Sequence, residues 1–180
     1  MTSAEIAAVA AAARRTIRDV PDFPRPGILF RDITPLLADP SLFRGVTDAL
    51  ATLFGEEKIS HVVAVESRGF IFGAPVAQAL HAAFVPVRKP GKLPAATVRE
   101  DYALEYGTDA LEMHADAFGS AARVLVVDDV LATGGTAAAT CRLVERARGQ
   151  VVGCAFVLEL VPLNGRAPLD GRRVESLVAY

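Results

Sequence analysis

The feature of this sequence that most constrains its fold is the run Arg123–Val127, apolar after its first residue, which leads straight into two aspartates and a glycine-rich loop. Asp128 and Asp129 follow the run, the glycine-rich loop occupies Ala132–Thr136, and an alanine-rich stretch continues to about Arg148. A short apolar run rich in β-branched residues and bounded by turn residues is typical of a buried strand. The segment therefore predicts a strand, a tight connection and a helix in succession, which is the repeating unit of α/β proteins.

The same alternation extends over much of the chain. Apolar, β-branched runs predict strands at 61–65, 84–87, 151–160 and 174–178, and helical periodicity predicts helices at 3–18, 41–54 and 73–83. Strands that alternate with helices favour a mainly parallel sheet covered on both faces. The length of 180 residues and the 52% apolar content suit one domain, 1–180, with a sizeable core.

Two stretches show neither the periodicity of a helix nor the apolar pattern of a strand. Pro21–Pro40 holds five prolines and predicts an ordered but irregular segment. Lys89–Glu100 is polar and contains Pro90, Gly91 and Pro94, which predicts an exposed, mobile loop that extends over about 88–104. A hairpin is expected to follow, with strands at 102–106 and 110–114 and with Gly107 in its turn.

Charge and cysteine content exclude several classes of protein. Lysine and arginine total 19 against 21 acidic residues, so the net charge of −2 argues against nucleic acid or a membrane surface as a partner. Cys141 and Cys154 are too few for a disulfide scaffold, and with His61, His81 and His114 they form no metal-binding spacing. The absence of a signal-peptide pattern, and of an apolar run near the roughly 20 residues that cross a bilayer, leads us to expect a cytoplasmic protein.

The glycine-rich loop has the chemistry of a phosphate site. Its glycines allow several backbone N–H groups to converge, the helix that follows adds positive potential, and the hydroxyls of Thr133 and Thr136 add donors worth roughly 1.5–3 kcal/mol each. Asp128 and Asp129 would repel a second phosphate and suit a ribose diol. Together these groups describe a site for a ribose 5-phosphate. The alternative is that the aspartates only cap the helix and the glycines only form a turn.

The run resembles the phosphoribosyl diphosphate motif of the type I phosphoribosyltransferases, and the rest of the chain is similar to members of that family that act on adenine. The other matching segments, in chain order, are Pro21–Pro35, Glu66–Gly73, Arg88–Pro94, Leu104–Asp109, Leu158–Leu160 and Leu163–Arg166. The resemblance implies the α/β fold of the family, with a small hood formed by N-terminal and C-terminal segments.

The resemblance also implies a reaction. The 5-phosphoribosyl group of phosphoribosyl diphosphate would pass to N9 of adenine, giving AMP and pyrophosphate with inversion at the anomeric carbon. Magnesium is the expected cofactor, held mainly by substrate oxygens with no residue directly assigned, although Asp128 or Asp129 could bind it through water. A homodimer is expected. Two alternatives stay open: a transferase for xanthine, hypoxanthine or guanine, and a regulator that retains the fold.

The resemblance assigns roles to individual residues. The phosphoribosyl group would be bound by Asp128, Asp129, Ala132, Thr133, Gly134, Gly135 and Thr136. Pyrophosphate would be bound by Glu66, Ser67, Arg68, Arg88, Lys89 and Lys92. Adenine would be bound by Leu29, Phe30 and Arg31. The expected catalytic residues are Glu105, which would exchange a proton with the base, and Arg68 and Lys92, which would stabilise the departing pyrophosphate.

Each of these roles has a simpler alternative. Arg68 could form an ordinary surface salt bridge, and the 88–92 segment could be a solvated loop. Ile28, Leu29 and Phe30 could belong to the core. Glu105 could be a solvated carboxylate.

Overall fold

The computed structural model describes residues 1–103 and 108–180. Its α-helices are α1 (Ser3–Thr16), α2 (Thr34–Leu37), α3 (Pro40–Leu53), α4 (Gly69–Ala79) and α5 (Gly135–Arg146). Its strands are β1 (Arg18–Pro21), β2 (Leu29–Asp32), β3 (His61–Val65), β4 (Ala83–Val87), β5 (Thr97–Ala103), β6 (Thr108–His114), β7 (Arg123–Leu131), β8 (Gln150–Glu159) and β9 (Val174–Ala179). None of the described helices has both the length and the apolar character needed to cross a membrane.

The central sheet is parallel and runs in the order β4-β3-β7-β8-β9. After β3 the chain passes to β4 on one side, and β7 then pairs with the other side of β3. The order of the strands therefore reverses between β3 and β7. Such a reversal leaves a crevice at the carboxyl ends of the strands, where open α/β sheets bind their ligands. The prediction of a parallel sheet is confirmed.

Helices cover both faces of this sheet, as predicted. Successive strand residues point to opposite faces, so Val62 packs with α1, α3 and α4 while Val63 packs with α5 and the β5–β6 hairpin. The buried residues on the α5 side include Leu111 and Leu143. Two apolar layers thus hold the ends of β3 and β7 in place.

Helix α4 begins at Gly69, four residues before the predicted start at Gly73. The sequence predicts Gly73 as the first residue of the helix, but in the structure it lies inside α4 and packs against β3. A Cβ at Gly73 would lie 2.6 Å from the Cβ of Ala64 on β3. The glycine therefore allows the helix to lie close against the strand, and a local pattern could not distinguish the two uses.

The irregular segment Pro21–Pro40 contains structure that the sequence did not predict. Its strand β2 pairs antiparallel with β1, which ends at Pro21 where the segment begins, and Val20 lies opposite Phe30. The short helix α2 follows β2. The residues of β1 are exposed or half-buried. Without a buried face the strand shows no apolar alternation, so the pattern that identifies strands is missing.

The predicted hairpin after the polar loop is confirmed, but its first strand begins earlier than expected. β5 starts at Thr97, so 97–100 is strand and not loop, and β5 pairs antiparallel with β6. Its Glu100 is buried and contacts Arg142 at 2.6 Å and Arg146 at 3.3 Å, both on α5. This polar anchoring explains why the sequence resembled a loop. The hairpin turn lies outside the described residues.

The N-terminal and C-terminal segments meet beside the sheet and form the expected hood. The ring of Tyr180 lies between two guanidinium groups, 4.6 Å from Arg14 and 4.0 Å from Arg31. Its hydroxyl donates to the carbonyl oxygen of Arg14 at 3.2 Å. Cation–π contacts of this kind tie α1 and β2 to the end of the chain.

Candidate active site

A cleft of about 380 Å³ opens at the carboxyl ends of β3 and β7, where the strand order reverses. One wall is the turn that follows β3, Val65–Arg68, and the floor is the segment from Asp128 through the glycine-rich loop. Lys89, Tyr102 and Asp109 reach the cleft from the side of the hairpin. The sheet therefore brings together segments more than sixty residues apart in the chain.

The glycine-rich loop lies at the N-terminus of α5, as predicted. Gly134 has a φ of +80°, a left-handed conformation that favours glycine, and α5 begins at the next residue. Ala132, Thr133 and Thr136 line the same cleft. Unpaired N–H groups in the first turn of a helix, together with its dipole, attract a phosphate. The structure thus has the local geometry that a phosphate site requires.

Asp128 and Asp129 enter the cleft beside this loop. Asp129 is 3% exposed, whereas Asp128 keeps a partly exposed edge. The Oδ1 atom of Asp128 accepts a hydrogen bond from the backbone N–H of Asp129 at 2.9 Å. Burial by the surrounding protein, followed by the charge of Asp129, raises the pKa of Asp128 to about 8. At neutral pH this carboxyl group can therefore donate a hydrogen bond as well as accept one.

Gly69 makes room for the Asp128 carboxylate. A Cβ at Gly69 would lie 2.5 Å from Oδ1 of Asp128, and Ser67 Oγ approaches the same oxygen at 3.5 Å. The turn after β3 and the end of β7 are therefore in direct contact. This contact explains why a small residue follows Arg68.

Arg68 pairs with a buried carboxylate inside the cleft. Its Nε lies 2.7 Å from Oδ2 of Asp129, although the N–H is not aligned with that oxygen, which has no hydrogen-bond donor among the described residues. The same guanidinium lies 5.2 Å from the ring of Phe30. Arg68 thus forms a salt bridge, but within the cleft and not at an unrelated surface.

The cations of the 88–92 segment have different positions. Arg88 lies 2.6 Å from Glu66, and this contact lowers the pKa of the Glu66 carboxyl. Lys89 lines the cleft and pairs with Asp109, while the side chain of Lys92 is exposed and does not line the cleft. Arg88 Nη1 also donates to the carbonyl oxygen of Lys92 at 2.7 Å, which fixes the start of the loop.

The residues expected to bind the base lie in the hood, next to the cleft. Leu29 is 45% exposed and Ile28 41%, so the alternative that these residues belong to the core is wrong. Phe30 contacts Phe23 edge-on, with ring centroids 5.2 Å apart, and reaches the cleft through Arg68. Arg31 pairs with Asp19 and lies over Tyr180. The structure brings Phe30 to the cleft edge, but none of Leu29, Phe30 and Arg31 lines the cleft itself.

Glu105 lies outside the described residues, and two cleft residues were missed by the sequence reasoning. Tyr102 and Asp109 face each other across the hairpin, and the Tyr102 hydroxyl donates to Asp109 Oδ2 at 3.2 Å. Asp109 ends the matching segment Leu104–Asp109, which is the signal that could have identified it. Its partnership with Lys89 depends on the strand register and has no local signature.

The chemistry of Asp129 fits the magnesium ion that the sequence leads us to expect. Among the described residues no group of three or more histidine, cysteine, aspartate or glutamate side chains could hold a metal ion. Asp129 nevertheless offers a buried oxygen without a hydrogen-bond donor. Magnesium bound through one or two carboxylates, with substrate phosphates completing its coordination, is the common arrangement.

Comparison with known proteins identifies the family. Residues 32–168 match the model of the phosphoribosyl transferase domain. The chain is 60% identical to adenine phosphoribosyltransferase of Gloeobacter violaceus over 91% of this chain and 96% of that one. Among solved structures it resembles the adenine phosphoribosyltransferase of Rhodothermus marinus, with 54% identity, a TM-score of 0.90 and coverage of 97% and 99%.

A second solved structure, from Saccharomyces cerevisiae, is an adenine phosphoribosyltransferase complexed with adenine and an imino-altritol bisphosphate. It is 40% identical to this chain, with a TM-score of 0.91 and coverage of 95% and 99%. The domain match and these relatives, each spanning nearly the whole chain, together show that the chain belongs to the adenine phosphoribosyltransferases, a family of enzymes.

Proposed function

We propose that this protein is a purine-salvage enzyme that transfers the 5-phosphoribosyl group of phosphoribosyl diphosphate to N9 of adenine, giving AMP and pyrophosphate. The observation that carries the proposal is the placement of the glycine-rich loop and the Asp128–Asp129 pair in one cleft, opposite Arg68. The hydrogen-bond donors of the glycine-rich loop, the two carboxylates and the Arg68 cation thus match the 5-phosphate, the ribose and the pyrophosphate of phosphoribosyl diphosphate, in that order.

The protein would bind phosphoribosyl diphosphate, the donor of the phosphoribosyl group, through its 5-phosphate and its ribose. The N–H groups of the glycine-rich loop and the hydroxyls of Thr133 and Thr136 bind the phosphate at the start of α5. Asp128 and Asp129 bind the two ribose hydroxyls. Because Asp128 is protonated at neutral pH in the free site, it can donate to one ribose oxygen while Asp129 accepts from another.

The pyrophosphate end would meet the cationic side of the cleft. As the bond from the anomeric carbon to the pyrophosphate oxygen breaks, negative charge grows on the leaving group and positive charge on the ribose. Arg68, Lys89 and the N–H groups of the Glu66–Arg68 turn stabilise the leaving group. Closure of the 88–92 segment would bring Lys92 and Arg88 over it and exclude water from the reactive ribose.

Adenine would attack from the face opposite pyrophosphate, which inverts the anomeric carbon. Phe30 stacks on the base, and the backbone groups of Leu29 and Arg31 form hydrogen bonds with its edge. The position of Phe30 against Arg68 supports this arrangement, because it places the hood next to the Glu66–Arg68 turn, where pyrophosphate would bind. Glu105 exchanges a proton with the base as N9 forms its new bond.

Magnesium, a homodimer and a cytoplasmic location complete the proposal. Magnesium would be held mainly by oxygens of phosphoribosyl diphosphate, with Asp128 or Asp129 binding it through water, and when bound it would offset the negative charge of the phosphate oxygens. The two free, buried cysteines, Cys141 and Cys154, are consistent with a reducing compartment.

A purine screen tests the function. The purified protein is supplied with phosphoribosyl diphosphate, magnesium and one purine at a time, and the nucleotide formed is measured. We expect AMP from adenine and at least a hundredfold lower kcat/KM with hypoxanthine, guanine or xanthine. Backbone groups that bind the exocyclic amine of adenine would be left unpaired by the carbonyl oxygen of a 6-oxopurine, a penalty of about 3 kcal/mol. Turnover of a 6-oxopurine instead would favour the alternative transferase, and binding of the donor without turnover of any purine would favour a regulator.

A further inference from the structure

The matching segment Leu163–Arg166, here called the Gly165 turn, has no role in the chemistry described so far. It follows β8 and a single turn of 3-10 helix at Val161–Leu163. The buried Gly165 lies against the backbone of the glycine-rich loop. A Cβ at Gly165 would lie 2.2 Å from the carbonyl oxygen of Ala132, and a Cβ at Gly134 would lie 2.1 Å from the carbonyl oxygen of Gly165. The two backbones are therefore in contact in both directions.

Position 165 requires glycine because there is no room for a side chain, and not because of its backbone conformation. Gly134 has a φ of +80°, so its glycine is favoured by the conformation as well as by the contact. Gly165 has an ordinary backbone conformation that any residue can adopt. A side chain at Gly165 would thus act only through its collision with Ala132 and with the side chain of Leu131, 2.9 Å away.

The Gly165 turn is tied to the strands that carry the loop. Arg166 donates two hydrogen bonds to the carboxylate of Glu159, at 2.8 and 2.7 Å, and a third to the carbonyl oxygen of Val174 at 3.0 Å. Glu159 is 5% exposed and ends β8. The backbone N–H of Leu160 donates to the carbonyl oxygen of Leu131 at 2.9 Å, one residue before the glycine-rich loop. Charged pairs with this bidentate geometry are among the more rigid contacts in proteins.

The contact controls the direction of an N–H group in the loop. The carbonyl of Ala132 and the N–H of Thr133 belong to one planar peptide unit and point in opposite directions. Because the Ala132 carbonyl oxygen faces Gly165, the Thr133 N–H faces away from the Gly165 turn. Thr133 itself lines the cleft. Tilting this peptide plane would turn the Thr133 N–H away from the direction in which it can donate a hydrogen bond to a phosphate.

We propose that Gly165 and Arg166 are positioning residues for the 5-phosphate: the Gly165 turn supports the glycine-rich loop from below and holds its N–H groups in the direction that binds phosphate. The inference rests on the proposed function of the glycine-rich loop as the 5-phosphate site. It adds a segment that touches no substrate to the set of residues that determine donor affinity.

The first test is Gly165→Ala, with Gly119→Ala as its control. Gly119 has an ordinary conformation, and no atom lies within 4 Å of the place its methyl group would take, so the same change there adds no collision. Affinities for ribose 5-phosphate and for pyrophosphate are measured by titration calorimetry, and KM values by steady-state kinetics. We expect Gly165→Ala to weaken ribose 5-phosphate binding and raise the donor KM by about tenfold or more, because a misplaced binding group costs this much or more. Pyrophosphate affinity and the adenine KM should stay within about twofold.

A second variant keeps the test open if Gly165→Ala does not fold. Arg166→Ala removes the anchor of the Gly165 turn without adding a collision. Its control is Arg173→Ala, because Arg173 also makes several contacts, to Glu57 at 3.0 Å and to the carbonyl oxygen of Leu53 at 2.7 Å, but away from the cleft. Both variants should lower the melting temperature, and Arg166→Ala alone should weaken ribose 5-phosphate binding.

The outcomes separate this inference from the function on which it rests. A wild-type protein that does not bind ribose 5-phosphate contradicts the assignment of the glycine-rich loop as the 5-phosphate site. A wild-type protein that binds it, with Gly165→Ala and Arg166→Ala both within twofold of that affinity, overturns the positioning role alone. Equal weakening of ribose 5-phosphate and pyrophosphate would also overturn it, because that result indicates general loosening of the fold.

Discussion

Among the carboxyl groups that the structure describes, Asp128 has the environment that departs most from water. Its pKa is raised from an ordinary value of 3.8 to about 8, first by burial and then by the charge of Asp129. A folded-state pKa above the unfolded one means that the folded protein binds the proton more tightly. The contribution of Asp128 to stability is therefore fully present below about pH 4 and is lost as the pH rises through about 8.

Replacing Asp128 by asparagine should remove this pH dependence. In metal-free buffer without substrate, we expect the melting temperature of Asp128→Asn to exceed that of the wild type by a margin that grows from pH 5 to pH 8.5, reaching about 4 °C or more. Asp116→Asn, at an exposed position, serves as the control and should follow the wild type. Differential scanning calorimetry across this range measures the effect. Parallel curves for wild type and Asp128→Asn would contradict the raised pKa.

At the scale of elements, the sequence was informative where an element has a buried face and uninformative where it does not. β7, the glycine-rich loop and α5 were predicted together, because a buried strand, two aspartates and glycines leave a local pattern. β1 and the first residues of β5 were missed, since exposed or charge-anchored strands show no apolar period.

The same distinction applies to the candidate site. The Asp128–Asp129 pair and the glycine-rich loop were identified from one continuous segment. The contact of Lys89 with Asp109 could not be, because it depends on where the β5–β6 hairpin lies relative to β4. The support from Gly165 depends likewise on the path of the chain after β8. Such contacts are properties of the assembled sheet.

The 88–92 segment leads to a kinetic prediction. Lys92 is exposed outside the cleft, so a role for it requires the segment to close over the leaving pyrophosphate. We expect Lys92→Ala to lower kcat by about ten- to a hundredfold while changing the affinity for phosphoribosyl diphosphate by less than about threefold, since its charge acts as the leaving group departs. Lys58→Ala, another exposed lysine away from the cleft, is the control. A Lys92→Ala enzyme with the kcat of the wild type would exclude the closure role.

For the whole molecule, the net charge of −2 hides a concentration of charges of both signs at the cleft. Arg68, Lys89, Asp128 and Asp129 all line it, with Arg68 paired to Asp129 and Lys89 to Asp109. In the proposed function the two cations bind pyrophosphate and the two aspartates bind the ribose. The reversal of strand order between β3 and β7 brings these opposite charges to one edge of the sheet. A small total charge thus coexists with a highly polar site.

This concentration of charge predicts how the two substrates of the proposed reaction respond to salt. Phosphoribosyl diphosphate is a polyanion and adenine is neutral, so screening acts on the first and hardly on the second. Raising the ionic strength from about 0.05 to 0.5 M shortens the screening length from about 14 to 4 Å and should raise the donor KM about three- to tenfold, with the adenine KM within about twofold. Steady-state kinetics in potassium chloride at fixed free magnesium measures both values. An equal rise in both KM values would contradict an electrostatic role of the cleft charges in binding phosphoribosyl diphosphate.

The close contact between Gly134 and Gly165 also limits how sequences of this kind can change over time. Each glycine would collide with the other's segment if it gained a side chain, so neither position can vary first without harm. A viable route would have to rebuild the glycine-rich loop and the Gly165 turn in the same lineage. Across divergent descendants of this chain, the two sites should therefore remain glycine together or be replaced together, while Gly119, with open space around it, drifts freely.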